Sequence, residues 1–277
     1  MKLTKKIHLL KIDFEIAISP DKKLPRFVNV ILIFGNKITV IDSGVKGSED
    51  KIRQYIKEQN RDFAEIDMLI LSHSHPDHIG SAAKIKELTG CKILAHGAEK
   101  EWIEDIELQN QQRPVPGFFN LVDRSVRIDG FLIDQQELVI EKGLTLKIIH
   151  SPGHSKGSIN IEFEEDQILF TADSIPLKND IPNYDNFLDL MSSLEKIGNS
   201  RFDIILSSWT APINNQEEFN RLIDEGIAYL QSIDLIVKEF YKYGTNPDAC
   251  KMAVEKLGLP PFLANPIIDN AFRSHLK

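Results

Sequence analysis

Residues Leu71-Ser-His73-Ser-His75-Pro-Asp77-His78 set the narrowest limit on what this chain can fold into. Three of its eight histidines and one aspartate fall within six residues, directly after the apolar stretch Ile66–Leu71. Imidazole and carboxylate are the ligands of zinc and related divalent ions. On an extended segment, residues two apart project to the same side, so His73 and His75 can bind one ion together. Pro76 turns the chain, and Asp77 and His78 beyond it can face a second ion. The bland alternative, a solvated turn rich in histidine, gives no reason for so dense a cluster.

Periodicity and punctuation place this cluster in an alternation of strands and helices. Residues 7–18 and 27–41 are rich in β-branched side chains, with a turn at Gly35-Asn36-Lys37. Residues 48–59 fit a helix capped by Ser48 with a stripe of Ile52, Tyr55 and Ile56. A short apolar strand over 68–71 suits a position covered on both faces. A helix over 81–88 ending near Gly90, a strand over 92–95 and a helix from 98 follow. The second half repeats the plan, with strands near 127–133, 138–140, 144–149, 159–163 and 167–170, a helix over 187–197 and a strand over 204–206. From 215 the chain reads as a helical tail, broken at Gly244-Thr245-Asn246-Pro247, with further helices over 248–257 and 266–276.

Other motifs carry a resemblance. Ile41-Asp42-Ser43-Gly44 follows an apolar hairpin, Ser151-Pro152-Gly153-His154-Ser155-Lys156-Gly157-Ser158 follows one strand, and Leu169-Phe170-Thr171-Ala172-Asp173 ends another. With His-x-His-x-Asp-His they stand in the order and at the separations of the metallo-β-lactamase superfamily, which the chain resembles over roughly residues 7–212. The resemblance implies an αββα sandwich over residues 1–212, with 213–277 as a helical extension packed on the core. It implies a first metal site of His73, His75 and His154, and a second of Asp77, His78 and a bridging Asp173. Zinc is the implied metal, one or two ions, with iron or manganese as alternatives. One element departs from the pattern. Trp209 stands where the superfamily's last metal histidine is expected, and indole has no lone pair for a metal.

The chemistry implied is hydrolysis of a small-molecule ester, thioester or lactone by metal-activated hydroxide, with Asp77 able to orient the water as general base. It resembles the branch that contains glyoxalase II. Two other classes stay open: an iron-dependent oxidoreductase of the same superfamily, such as a persulfide dioxygenase, and a binding or regulatory protein that has lost activity. A net charge of −8 with no basic run argues against a nucleic-acid partner. No stretch approaches the length needed to cross a bilayer, no signal peptide is read, and two distant cysteines suggest no disulfide framework, so a cytoplasmic location is expected. The tail could also cover the metal edge or form a homodimer contact.

Two insertions are candidate pocket walls. Residues 109–123 contain Arg113-Pro114-Val115-Pro116-Gly117-Phe118-Phe119, whose prolines and glycine exclude a regular helix or central strand. Phe118 and Phe119 either line the substrate pocket or pin the loop to the core. Residues 180–185 offer Tyr184 to the substrate, or Asp180, Tyr184 or Asp185 as a replacement ligand beside Trp209. Alternatively they are the lead-in to a helix capped by Asp185. Of the remaining histidines, His150 reads as a structural group, His96 could face the active edge, and His8 and His275 carry no signal.

Overall fold

A computed structural model describes residues 1–19, 22–242 and 247–277. The expected break at Gly244, Thr245 and Asn246 lies outside them. Strands β1 (Ile7–Ser19), β2 (Lys22–Phe34), β3 (Ile38–Ile41), β4 (Ile66–Leu71), β5 (Lys92–His96) and β6 (Gly130–Leu132) form one sheet in that order. β1, β2 and β3 pair antiparallel, and β3 to β6 run parallel. The second sheet contains β7 (Glu137–Glu141), β8 (Leu144–His150), β9 (Ile159–Phe163), β10 (Ile168–Phe170) and β11 (Ile204–Leu206), in the order β11-β10-β9-β8-β7.

Strand alternation explains why the two sheets stack. In β2, Ile31 and Ile33 point inward and join Leu146, Ile148 and Phe170 of the second sheet in one buried layer. Val28, Val30 and Leu32 point the other way, into a layer shared with helices. Each such side chain contributes roughly 1.5–3 kcal/mol on burial, so a one-residue slip of register would be prohibitive. Helices α1 (Ser48–Glu58), α2 (Pro76–Ile79), α3 (Ala82–Thr89), α4 (Lys100–Glu104), α5 (Ile106–Gln112) and α6 (Phe118–Leu121) all contribute to that outer layer. α7 (Phe187–Gly198) and α8 (Gln216–Phe240) cover the outer face of the second sheet through Leu190, Leu194, Phe219 and Ile223. α9 (Ala249–Lys256) and α10 (Pro266–Arg273) pack with the C-terminal half of α8. The layers are α, β, β, α.

Several local expectations need correction. β2 begins at Lys22 rather than 27, running straight through Pro25. Over that stretch β2 has only β1 beside it, so the missing proline N–H interrupts no two-sided ladder. Gly47, with φ 86°, is the N-cap of α1, and Ser48 is the first helical residue, its hydroxyl buried without a partner among the described residues. β6 is only three residues long. Residues 109–123 hold the end of α5 and all of α6, so helix is interrupted only over Arg113–Gly117 and ends again at Leu121. α7 is capped by Asn186, whose side chain accepts from the Asp189 N–H, and not by Asp185.

Candidate metal centre

The strand ends bring the motif residues together. His73 and His75 leave the C-terminal end of β4, and His75 is the N-cap of α2, which carries Asp77 and His78. His154 lies in the loop after β8, and Asp173 in the turn after β10. That turn needs Ala172 at φ 45°, a conformation L side chains seldom adopt. His75 Nδ1 is 3.1 Å from His73 Nε2 and 2.8 Å from His154 Nε2. Asp173 Oδ2 lies 3.3 Å from His154 Nε2 and 3.9 Å from His73 Nε2. Ligands about 2.0–2.1 Å from a tetrahedral ion stand about 3.3 Å apart, so this spacing suits one ion. Asp173 Oδ1 turns to a second group, 3.3 Å from His78 Nε2, which is 3.6 Å from Asp77 Oδ2. One carboxylate thus faces both positions.

Burial and charge favour a cation here. Desolvation pushes His73 and His75 well below the usual imidazole range and His154 down to about 4, leaving neutral rings with free lone pairs. His78 behaves oppositely: burial opposes its protonation, but Asp173, Asp42 and Asp77 outweigh it and raise the ring well above its ordinary value. Burial also opposes ionisation of Asp173, yet His78, His154 and the Trp209 indole N–H hold its carboxyl far below the usual range. Burial raises Asp77, against the pull of His78. His78 Nε2 and Asp173 Oδ1 are buried without a hydrogen-bond partner among the described residues. Unmet polar atoms of this kind cost about 1–3 kcal/mol each. A divalent ion would satisfy both, so the residues present fit a metal.

Groups that the motif reading assigned no part hold the ligands in place. Asp42 follows β3 at φ 61° and is fully buried. Its Oδ2 accepts from His78 Nδ1 at 2.8 Å and from Ser72 Oγ at 2.8 Å, and its Oδ1 accepts the Ser72 N–H at 2.7 Å. Ser72 Oγ is also 3.0 Å from His73 Nδ1. Both rings are thereby held with Nε2 free to ligate. Glu99, after β5, joins the two ligand loops: it accepts from the Ser74 N–H at 2.8 Å, Ser155 Oγ at 2.7 Å and the Gly157 N–H at 2.5 Å. A Cβ on Gly157 would sit 2.8 Å from the Glu99 side chain, so only glycine permits this approach. The early Asp motif signalled Asp42, but nothing in the local sequence marks Glu99.

A cavity of about 220 Å³ opens over the cluster, and His75, Asp77, His154, Asp173 and Trp209 all line it. Buried Arg113 also lines it, donating to Asn183 Oδ1. Burial draws the guanidinium down while Asp185, Asp77 and Asp173 support its charge. The expected aromatic wall is corrected. Phe118 is buried in the outer core layer, Phe119 is exposed against its edge, and neither lines the cavity. Val115 and Pro116 of the same loop do, because the bend turns them inward. Tyr184 is also outside the cavity, buried with its hydroxyl 2.7 Å from His275 Nε2. Asp180, Ile181 and Asn183 form the wall expected of that segment, and Asp180 pairs with Arg26 at 2.7 Å. Neither Asp180 nor Asp185 joins either ligand group, and the Tyr184 hydroxyl is taken up by His275. Trp209 lies beside Asp173 with its ring 6.4 Å from Phe14. His96 and His150 stack on each other at 4.2 Å, apart from both groups.

Comparison with known proteins agrees with this geometry. The family description "Metallo-beta-lactamase superfamily" matches residues 24–209. The Bacillus subtilis protein named "Probable metallo-hydrolase YqgX" is 27% identical over 142 residues, 51% of this chain and 63% of that one. A hydroxyacylglutathione hydrolase of Haemophilus influenzae is 29% identical over 140 residues, 48% of this chain and 59% of that one. The chain thus spans about three fifths of the length of these curated relatives. A metallo-beta-lactamase family protein from Thermus thermophilus superposes with a TM-score of 0.74 at 17% identity, covering 99% of this chain and 93% of that one. A subclass B3 metallo-beta-lactamase of Bradyrhizobium japonicum gives 0.61 at 18% identity, covering 76% and 88%. These superpositions speak to the fold alone. With the family match spanning most of the sandwich and every ligand motif but the last in place, the chain belongs to the metallo-beta-lactamase superfamily.

Proposed function

We propose that this protein is a metal-dependent hydrolase of a small-molecule ester, thioester or lactone. The observation that carries the reading is the pair of ligand groups sharing Asp173 and opening onto one cavity. His73, His75 and His154 would hold the first ion, and Asp77 and His78 the second, with Asp173 between them. Three imidazoles and a carboxylate suit zinc, with iron or manganese as alternatives. A bound divalent ion supplies hydroxide at neutral pH, by lowering the pKa of water to about 7, and polarises a carbonyl. The chain's own part is to orient and exclude. Asp77 borders the cavity and can accept a proton from water, and burial raises its basicity.

Two relatives named for hydrolysis support the reaction class. The cavity volume and the net charge of −8 favour a small molecule over nucleic acid. Four protein groups converge on the first position, more than the open two-histidine, one-carboxylate site of an iron oxygenase uses. Residues 1–212 would carry the reaction, with 213–277 closing the cavity. Among the described residues no helix is long and apolar enough to cross a membrane, and both cysteines are free, which fits a cytoplasmic enzyme.

The test is elemental analysis of protein purified without added metal, followed by a panel of esters, thioesters and lactones. Zinc and turnover that both fall in His154→Ala are expected. Iron as the sole metal, with oxygen consumed on a persulfide, would replace this reading by the oxidoreductase. Turnover unchanged after complete metal removal would end it.

A further inference from the structure

Resting on the hydrolase reading, we infer that the acyl group of the substrate is a medium-length aliphatic chain, held between the β1–β2 pair and the C-terminal helices. The walls away from the ligands are apolar. Phe14, Ile16 and Leu24 come from the strand pair, and Leu263, Ile267 and Ile268 face the same space from the tail. The cavity-lining side chains of Ile16, Leu24, Leu177, Phe262 and Ile267 belong to none of the buried core layers. Packing of the fold therefore does not account for their apolar character, whereas an apolar ligand does.

The polar groups of these walls are already engaged. Arg26 and Asp180 pair at 2.7 Å, and Arg26 also lies 5.9 Å from the Trp209 ring. Asn265 accepts the Ile267 and Ile268 N–H groups as the cap of α10. Among the described residues, the lining cation with no carboxylate at ion-pair distance is Arg113, whose charge is supported by Asp185, Asp77 and Asp173. The cavity is thus polar at the metal end and apolar beyond it, which aligns a chain with its carbonyl at the ligands. An apolar cavity of about 150 Å³ takes one benzene, so about 220 Å³ takes about eight carbon atoms, the carbonyl included.

The experiment uses acyl thioesters of N-acetylcysteamine with chains from two to twelve carbons, together with calorimetric binding of butyrate and octanoate. We expect kcat/KM to rise about fourfold per added methylene, the transfer value of a buried CH₂, up to about eight carbons and then to fall. Octanoate should bind well over tenfold tighter than butyrate, with a negative heat-capacity change. Leu24→Trp and Ile267→Trp, which narrow opposite walls, should each move the optimum to shorter chains at unchanged metal content and Tm. Turnover that is flat with chain length, or highest for acetyl, overturns the inference and leaves the hydrolase. If no thioester is cleaved, the ester and lactone panel decides the hydrolase reading and the binding arm decides the inference: equal affinity for butyrate and octanoate overturns it, and selective octanoate binding sustains it.

Discussion

Asp42→Asn separates an orienting role from a merely structural one. Asn tolerates the φ of 61° that the position requires, and its side chain has nearly the same size, so backbone strain is unchanged. The change removes one charge and one acceptor. In the native arrangement the carboxylate accepts from His78 Nδ1 and Ser72 Oγ through one oxygen and from the Ser72 N–H through the other. An amide can keep its oxygen on the Ser72 N–H only by turning its NH₂ toward His78. The ring must then accept at Nδ1 and carry its proton on Nε2, the atom that faces Asp173 and Asp77. A hydrogen bond to a charged group is worth about 1.5–3 kcal/mol, or a factor of about 10–150. Loss of orienting partners typically costs 10–100-fold in metal affinity, which agrees. Competition with a chromophoric chelator should show the second equivalent weakened by about 10–100-fold. The first should weaken less, because Asp42 reaches His73 only through Ser72. Two equivalents held at wild-type affinity, or equal losses at both positions, would refute the reasoning.

Trp209→His should raise occupancy of the second position, since it supplies an imidazole beside Asp173; occupancy unchanged by elemental analysis counts against the placement. Glu99→Ala leaves three donors on two ligand loops without their acceptor and should lower Tm by several degrees and weaken the first metal equivalent, with Glu99→Gln recovering part of both; wild-type metal affinity in Glu99→Ala would show the clamp to be dispensable. His275 is held at about 4 by burial, so the folded state keeps it neutral where the unfolded chain, near 6.5, takes up a proton. Its contribution is therefore present above about pH 6.5 and lost as pH falls toward about 4, and partial burial limits it to about 1–2 kcal/mol. The Tm gap between wild type and His275→Phe should shrink between pH 7.5 and 5; a gap that widens in acid would contradict the sign.

The expected layers appear because alternation in β2 and the apolar runs of β4 and β10 are local properties, readable within a few residues. The candidate ligand cluster is legible for the same reason: His73, His75, Asp77 and His78 fall within six residues, and His154 and Asp173 each follow within four residues a strand that periodicity already marks. Where local rules competed, they misled. A strand expected to start at residue 27 leaves out Pro25, because the edge position that admits a proline there depends on where β3 stops. Phe118 and Phe119 drew attention as aromatics on a loop, yet the turn at Gly117 sends Phe118 into the core.

What spacing could not give is which distant groups meet. Asp42 holds His78 from another strand end, Glu99 ties the loops after β4 and β8, and Arg113 is buried opposite Asn183. The cavity takes its walls from the first strand pair and from the last helices, segments at opposite ends of the sequence. Residue order and periodicity are enough to set the candidate ligand types and the edge of the sandwich that carries them, because a strand's periodicity fixes where its loop emerges. The orienting groups and the shape of the pocket come from the folded arrangement, because they depend on how separate loops land against one another in space.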